Sequence, residues 1–458
     1  MDTLQTHLDY IAMRLWGDWL LFVLVGIGVL YTVGTGFVQV RHFGYIVRKT
    51  VWEPIRSGAG DSSEAGTISS FQALCTALAS CVGSGNIVGV STAVLVGGMG
   101  AVFWMWVAAF VGMATKYGEI ILGMLYRQKN SAGQYVGGPF YYIRDGLKAP
   151  WLATLCAGFM VVQIIGGNLI QSNTIGGVMY NNFAVPRWLT GVTLVVCIFI
   201  IASGGLKRLA RVAQKLVPFM ATLYVLCGLL IILLNVDMLP SVCLEIIRGA
   251  FSQEAVEGGA AGTVMMLAMQ RGGARGLYSN EAGEGSAPVI HSSAQVNHPC
   301  QQGIAGVSEV FIDTFLLCTI TALVLGVTGV LATKSEASVL AINAFASVWE
   351  PLRYPLSLSL MLFCATTLMS QWYFGFVGLN YIFGFTVADN FKYVFPVFCF
   401  AGAMLKIDMV WTIQDIALGL LTIPNLIAML VLFPLVRKAT KEFFADRERY
   451  DRPPGIMK

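Results

Sequence analysis

Eleven apolar stretches follow one another along this chain, at roughly 17–38, 68–97, 100–127, 151–180, 187–203, 207–235, 255–280, 302–330, 354–386, 391–406 and 411–436. About 20 mostly apolar residues suffice for a helix to cross a bilayer. The series leaves too little polar chain to build a water-facing shell. Only 12% of the 458 residues are charged, about half the roughly 25% of soluble domains. That excludes a cytoplasmic enzyme, a nucleic-acid binder and a secreted disulfide scaffold. What remains is an all-α polytopic membrane protein with 11 transmembrane helices, whose solvent is lipid. A shorter run near 338–349 is too brief to span and reads as a re-entrant or surface helix. The ten cysteines form no CxxC pair and read as small buried hydrophobes. Asp2, Asp9 and Arg14 precede the first apolar run without a basic n-region or a small-residue cleavage site, so no cleavable signal peptide is expected.

Charge distribution orients the series. With the N-terminus outside and one crossing per stretch, 22 of the 29 basic residues fall on the inner side, among them Arg41, Arg48, Lys49, Arg127, Arg144, Lys207, Arg211, Lys392 and Arg437. Six fall outside: Arg14, Arg187, Arg248, Lys334, Arg353 and Lys406. Lys116 lies within a stretch. Cytoplasmic loops carry the excess of Lys and Arg, so the C-terminus is expected inside. The net charge of +4 is too small to suggest a polyanionic partner, and no nucleic acid is expected.

Two stretches are poorly built for continuous helix. The second contains CVGSGNIVGV at 81–90, with Gly83, Ser84, Gly85 and Asn86 in succession. A dinucleotide fingerprint is ruled out, because Val88 stands where its third glycine belongs and no βαβ context exists. The seventh is interrupted by Gly272, Gly273 and Gly276, with Arg271 and Arg275 intruding. Broken backbone in lipid survives only where it lines a cavity or is buried in protein. A Gly-interrupted pair in corresponding positions of two halves points to a transporter binding site.

At these residues the sequence resembles the alanine/glycine:cation symporters, also known as sodium:alanine symporters. The matching blocks are FQALCTALASCVGSGNIVGV (71–90), GAVFWMWVAAFVGMATKYGE (100–119), GGPFYYI (137–143), GNLIQSN (167–173), RGLYSNEAGEGSAP (275–288) and VFIDT (310–314). The resemblance implies a LeuT-like fold, a 5+5 inverted repeat plus one extra N-terminal helix. Residues 1–66 would hold the extra helix and a cytoplasmic linker, 67–235 the first five-helix repeat, 250–436 the second, and 437–458 a basic cytoplasmic tail. It also implies sodium-driven import of a small neutral amino acid such as alanine or glycine across a bacterial or archaeal inner membrane. Na+ would be a co-transported ion rather than a prosthetic group. The chain departs from the family pattern at Met99, where a turn proline is usual, and at Glu284, where a bulky apolar residue is usual. Gln371 stands at a tryptophan position, followed by Trp372, and Phe376-Val377 replaces a Glu-Arg pair. These departures bear on side-chain selectivity, and they keep glutamine or another polar neutral amino acid open as the substrate.

A zwitterion needs donors for its carboxylate, acceptors for its ammonium and a pocket for its side chain. Ser84 and Gly85 would expose N–H groups to the carboxylate at the first break. Asn168 and Gln171, three apart on the fourth stretch, share a face and are further substrate candidates; Asn173 faces elsewhere and is expected to bond between helices. Across the site the seventh stretch would offer Met269, Gln270 and Gly272, and Gln371 would join from the ninth. By analogy with LeuT-like carriers, Thr366 and Thr367 resemble a sodium site completed by carbonyls near Ala79 and Val82. Asn86 would offer its amide oxygen to the same kind of ion. Lys116 and Glu119 are expected to form a structural ion pair, and Asp313 to pair with Arg271 or Arg275 or to help hold a cation. Glu281 and Glu284 would form an inner gate with Arg275 or cap the next segment. The four histidines fall in expected loops or the terminus, so a metal centre is not expected. No nucleophile–base constellation or phosphate loop is present, so the chain is not expected to be an enzyme.

Overall fold

The computed structural model describes residues 2–57, 68–251, 272, 276, 279–333, 337–405 and 408–451. Among these, helices stand at every expected apolar stretch except 255–280, most of which lies outside the described residues. A two-residue hairpin pairs Gln128–Lys129 with Tyr135–Val136. An amphipathic helix α1 (Asp2–Leu15) precedes α2 (Asp18–Gly34). The next span is split into α3 (Ser70–Cys81) and α4 (Val90–Gly97). Then come α5 (Gly100–Leu125), the short α6 (Pro139–Asp145), α7 (Pro150–Phe183), α8 (Arg187–Ser203), α9 (Gly205–Leu234) and α10 (Leu239–Phe251). The second half holds α11 (Ala287–His291), α12 (Pro299–Val310), α13 (Thr319–Val327) and α14 (Ala337–Val348). It closes with α15 (Arg353–Phe383), α16 (Phe385–Met404) and α17 (Asp408–Ala445).

Among the described residues, seven helices are long and apolar enough to cross a membrane, and eight if the bent pair α3 and α4 is one span. The α8 helix, at 17 residues, is shorter than the rest. Burial sorts these spans. The α5 span has a mean hydropathy of 1.3 and is 89% buried, whereas α9 reaches 2.5 and is 33% buried. The more apolar helix faces lipid, and the helix carrying Lys116 and Glu119 runs through the protein interior, as intramembrane charge requires. Small residues let α5 pack that deeply. A Cβ at Gly118 would lie 2.0 Å from the Tyr31 ring, and one at Gly100 would lie 2.2 Å from the Gly249 carbonyl carbon. Close backbone approach of this kind drives helix association where lipid offers no hydrophobic gain.

The run near 338–349 forms α14, and it is neither a surface helix nor a loop. Leu340, Ala341, Ile342, Ala344 and Phe345 bury one side of it over the first break. Seven cysteines are buried as expected, but Cys197 and Cys243 are exposed on α8 and α10 and Cys227 is half-buried. An apolar sulfhydryl facing lipid costs no more than one in the core, so composition cannot separate the two locations.

Candidate functional site

The first break is set up from the start of its helix. Ser69 caps α3: its hydroxyl accepts the Gln72 N–H at 3.2 Å while the Gln72 side chain accepts the Ser69 N–H at 3.0 Å. The helix ends at Val82, whose backbone is extended (φ −77°, ψ 94°). The Gly83 N–H would meet the Ala79 carbonyl in a continuous helix; instead it donates to Asn86 Oδ1 at 2.9 Å. The Ala79 carbonyl thereby loses its helical donor. A wide turn over Gly85–Gly89 follows, and the chain resumes at 51° to its first half.

Of the glycines expected at the second break, Gly273 lies outside the described residues, and Gly272 and Gly276 lie within them. Both are helical and buried. A Cβ at Gly272 would come within 2.1 Å of the Ala101 carbonyl oxygen, and one at Gly276 within 3.4 Å of Met105. These glycines let the segment lie against α5, so Gly272 is a helix contact and does not reach the hollow. The helix interrupts further on, at Glu281–Ser286, where Glu281 (φ 55°), Gly283 (φ 91°) and Gly285 (φ 90°) are left-handed. Alternate left-handed residues cannot continue a right-handed helix. Met269 and Gln270 lie outside the described residues.

The two breaks meet. Ser80 donates to Glu281 Oε1 at 2.9 Å, and Ser286 donates to Glu281 Oε2 at 2.5 Å. Beside this contact is a hollow of about 20 Å³ lined by Gly83, Gly85, Gln163, Gln171, Glu281, Glu284, Thr367, Gln371 and Gln414, with Ser80 and Cys81. That is room for about one water, so the site is closed around itself. Gln171 Oε1 accepts the Ser84 N–H at 3.3 Å. Thr367 donates to the Val82 carbonyl at 3.3 Å and to the Phe363 carbonyl at 3.0 Å. One turn later, Ser370 donates to the Thr76 carbonyl at 3.0 Å. Among the described residues, Ser84 Oγ and Gln371 Oε1 are buried without a partner.

Other expected residues fall elsewhere. Asn168 turns away from the hollow: its amide donates to the Phe395 carbonyl at 3.1 Å and accepts from Ser172 at 3.1 Å. Asn173 bonds between helices, donating to the carbonyls of Gly402 and Leu405. Thr366 donates to the Phe363 carbonyl on its own helix and faces Met220 Sδ on α9. Asn86 is spent inside the protein. Its Nδ2 donates to Asp313 Oδ1 at 2.6 Å while its oxygen caps Gly83. Asp313 also accepts from Ser279 and Thr314. Its expected partners Arg271 and Arg275 lie outside the described residues.

Lys116 does not pair with Glu119. Its ammonium bonds Glu309 Oε1 at 2.6 Å and the Asn280 carbonyl at 2.5 Å, just before the second break. Glu119 is held instead by Asn425, which also donates to the Gly283 carbonyl at 2.9 Å. His291, expected in a loop, is fully buried on α11, with Nε2 3.2 Å from Glu309 Oε2. Three site features escaped the sequence reading. Gln163 and Gln414 face the hollow from α7 and α17, and Glu281 and Glu284 line it rather than standing at a mouth. The alternation Gly283-Glu284-Gly285 was the available signal for the last.

Comparison with known proteins places these features in a family. The family model described as the sodium:alanine symporter family matches residues 1–455. The "Sodium/alanine symporter AgcS" of Methanococcus maripaludis is 35% identical, over 93% of this chain and 94% of its own. The "Probable sodium/glutamine symporter GlnT" of Bacillus subtilis is 33% identical, over 98% and 92%. A transporter of Haemophilus influenzae, of uncharacterised function, is 39% identical over 96% of each chain. Among solved structures, a single-residue mutant of the Eremococcus coleocola manganese transporter superposes with a TM-score of 0.50 at 12% identity, covering 87% of this chain and 86% of that one. That similarity speaks for the fold alone, a LeuT-like one.

Proposed function

The chain belongs to the sodium:alanine symporter family, and from that premise we propose that it imports small neutral amino acids, alanine and glycine, by sodium-coupled alternating access. It is a multi-pass membrane transporter and not an enzyme. In this reading eleven helices cross the membrane, with five-helix repeats over 67–235 and 250–436 and the basic tail in the cytoplasm. The observation that carries the proposal is the meeting of two interrupted helices around one polar hollow, bridged by Ser80 and Glu281.

The chemistry divides around the first break. The substrate carboxylate takes the N–H groups of Ser84 and Gly85, displacing the Gln171 oxygen that occupies the Ser84 N–H in the closed state. Gln171 then turns its amide to the zwitterion. Sodium, a hard cation, takes oxygen ligands: the Val82 carbonyl, the Thr367 hydroxyl already 3.3 Å from it, and the Ala79 carbonyl that lost its helical donor. Substrate and ion thus grip one short unwound segment from opposite sides. A second reading, import of glutamine or another polar amino acid on the same scaffold, is favoured by one observation: Gln371 Oε1 is buried with no partner among the described residues.

The test is uptake into proteoliposomes of labelled alanine, glycine and glutamine, under an imposed sodium gradient and then a proton gradient. Sodium-dependent accumulation of alanine or glycine is the expected result. Uptake indifferent to both ions would remove symport from the account.

A further inference from the structure

Two acceptors at the hollow lack a donor. Glu284 is 6% exposed and faces the hollow; among the described residues its carboxylate makes no hydrogen bond or ion pair. Gln371, also 6% exposed, reaches the same hollow from α15 with its Oε1 unpartnered. Its position is fixed by Gly167, where a Cβ would lie 2.4 Å from Gln371 Nε2. Glu281, by contrast, already accepts from Ser80 and Ser286. Two nine-tenths buried acceptors therefore converge on one space with nothing to receive. An unmet buried acceptor is costly, and a buried carboxylate more so, unless a donor arrives.

The charge balance points the same way. Glu119, Glu284, Glu309 and Asp313 are all buried near the breaks, and Lys116 is the buried lysine among the described residues that answers them. Lys116 is already committed to Glu309 and the Asn280 carbonyl. Among the described residues the buried carboxylates thus outnumber the buried lysine, which favours whatever brings N–H groups or positive charge into the hollow.

We propose that Glu284 and Gln371 form the side-chain end of the substrate site, and that its preferred substrate is an amino acid whose side chain ends in a nitrogen donor, a carboxamide or an ammonium. The inference rests on the transport reading and, within it, favours the polar-substrate reading over alanine and glycine. A site built to hydrogen-bond a polar group rejects an isostere lacking it far more strongly than an apolar pocket rejects an extra methylene. The selectivity therefore shows in isosteric pairs. Asparagine is paired with leucine, and 2,3-diaminopropionate with 2-aminobutyrate.

The test is competition by these four amino acids against bound radiolabelled substrate on the purified full-length protein in saturating sodium, with alanine as reference. The wild type is expected to favour the nitrogen-ending member of at least one pair by tenfold or more. Asparagine winning alone assigns the carboxamide; 2,3-diaminopropionate winning alone assigns the ammonium. In Glu284→Leu the winning preference falls at least tenfold relative to alanine. Glu284→Gln, which keeps an acceptor and loses the charge, retains a carboxamide preference and loses an ammonium one. Equal affinity within both pairs in the wild type overturns the proposal, and so does a preference that survives Glu284→Leu. The wild-type arm decides even if a variant fails to fold. Alanine binding with no discrimination sinks this inference and leaves the transport reading standing, whereas binding of no amino acid at all sinks the transport reading itself.

Discussion

Gln171 and Asn168 show how much one turn of helix decides. Three residues advance an α-helix by about 300°, which leaves them about 60° apart around the axis. On α7, wedged between α15, α16 and α17, that angle sends Gln171 to the hollow and Asn168 to the Phe395 carbonyl. Helical spacing identifies a shared face; only the packing says which edge of it looks inward. Gln171→Ala is expected to weaken amino-acid binding at least tenfold, about 1.4 kcal/mol, because it removes the amide that turns to the zwitterion once the carboxylate has displaced its oxygen from the Ser84 N–H. Asn168→Ala is expected to leave affinity within threefold while lowering thermal stability. Equilibrium binding and a melting curve on each variant separate the two roles, and an unchanged affinity in Gln171→Ala would make it a packing residue. Thr366 and Thr367 divide likewise. Adjacent positions point about 100° apart, and Thr367 alone meets the Val82 carbonyl. Thr367→Val is accordingly expected to raise the sodium concentration for half-maximal binding at least tenfold, and Thr366→Val to change it little, as read by sodium titrations.

Among elements, the first break was more legible than the interruption at Glu281–Ser286, for one physical reason. Glycine serves both to break a helix and to let two helices touch. At Gly83–Asn86 an asparagine accompanies the glycines and accepts the Gly83 N–H, while Gln171 accepts the Ser84 N–H, so the pattern spells an interruption. At Gly272 and Gly276 the glycines are themselves helical and face the α5 backbone. The interruption at Glu281–Ser286 lies among residues that look like a polar loop, and it needs partners remote in sequence to hold it. Lys116 donates to the Asn280 carbonyl, and Asn425 to the Gly283 carbonyl. These contacts span 164 and 142 residues, a distance over which no local pattern reports. The Lys116–Glu309 pair is fully enclosed. Removing one partner leaves a bare buried charge, a loss of about 3–5 kcal/mol, whereas replacing both by apolar groups of similar volume is far milder. Lys116→Met and Glu309→Leu singly are expected to lower the melting temperature sharply, and the double variant to recover most of that loss. A double variant no more stable than either single one would show that the pair acts mainly by holding the break rather than by cancelling charge.

At the scale of the whole molecule, two of the basic segments expected inside, around Lys49 and in the C-terminal tail, pack against each other at one end of the bundle. Lys49 pairs with Asp451, Arg447 lies over the Tyr45 ring, and Gln301 reaches the Tyr450 carbonyl. At the other end Gln5 and Asp9 bond Thr412. A charge count is a sum over the chain and tolerates local error, whereas the hollow depends on single side chains brought together by the fold. The hollow is also closed to about one water, so it must open to load and close again to carry. In the proposed mechanism the ion grips Val82 and the substrate grips Ser84, two residues apart on one unwound segment. Each ligand then stabilises the arrangement that the other requires. Linkage makes such coupling reciprocal: if sodium tightens the amino acid by some factor, the amino acid must tighten sodium by the same factor, typically about 5–150-fold. The expected result is therefore a pair of equal factors, obtained from substrate titrations at zero and saturating sodium and from sodium titrations without and with substrate. Thr367→Val should shrink both factors together, since it removes a contact on the shared segment. Sodium that leaves amino-acid affinity untouched would mean that the two ligands do not share the segment, and the coupling would have to pass through some other part of the bundle.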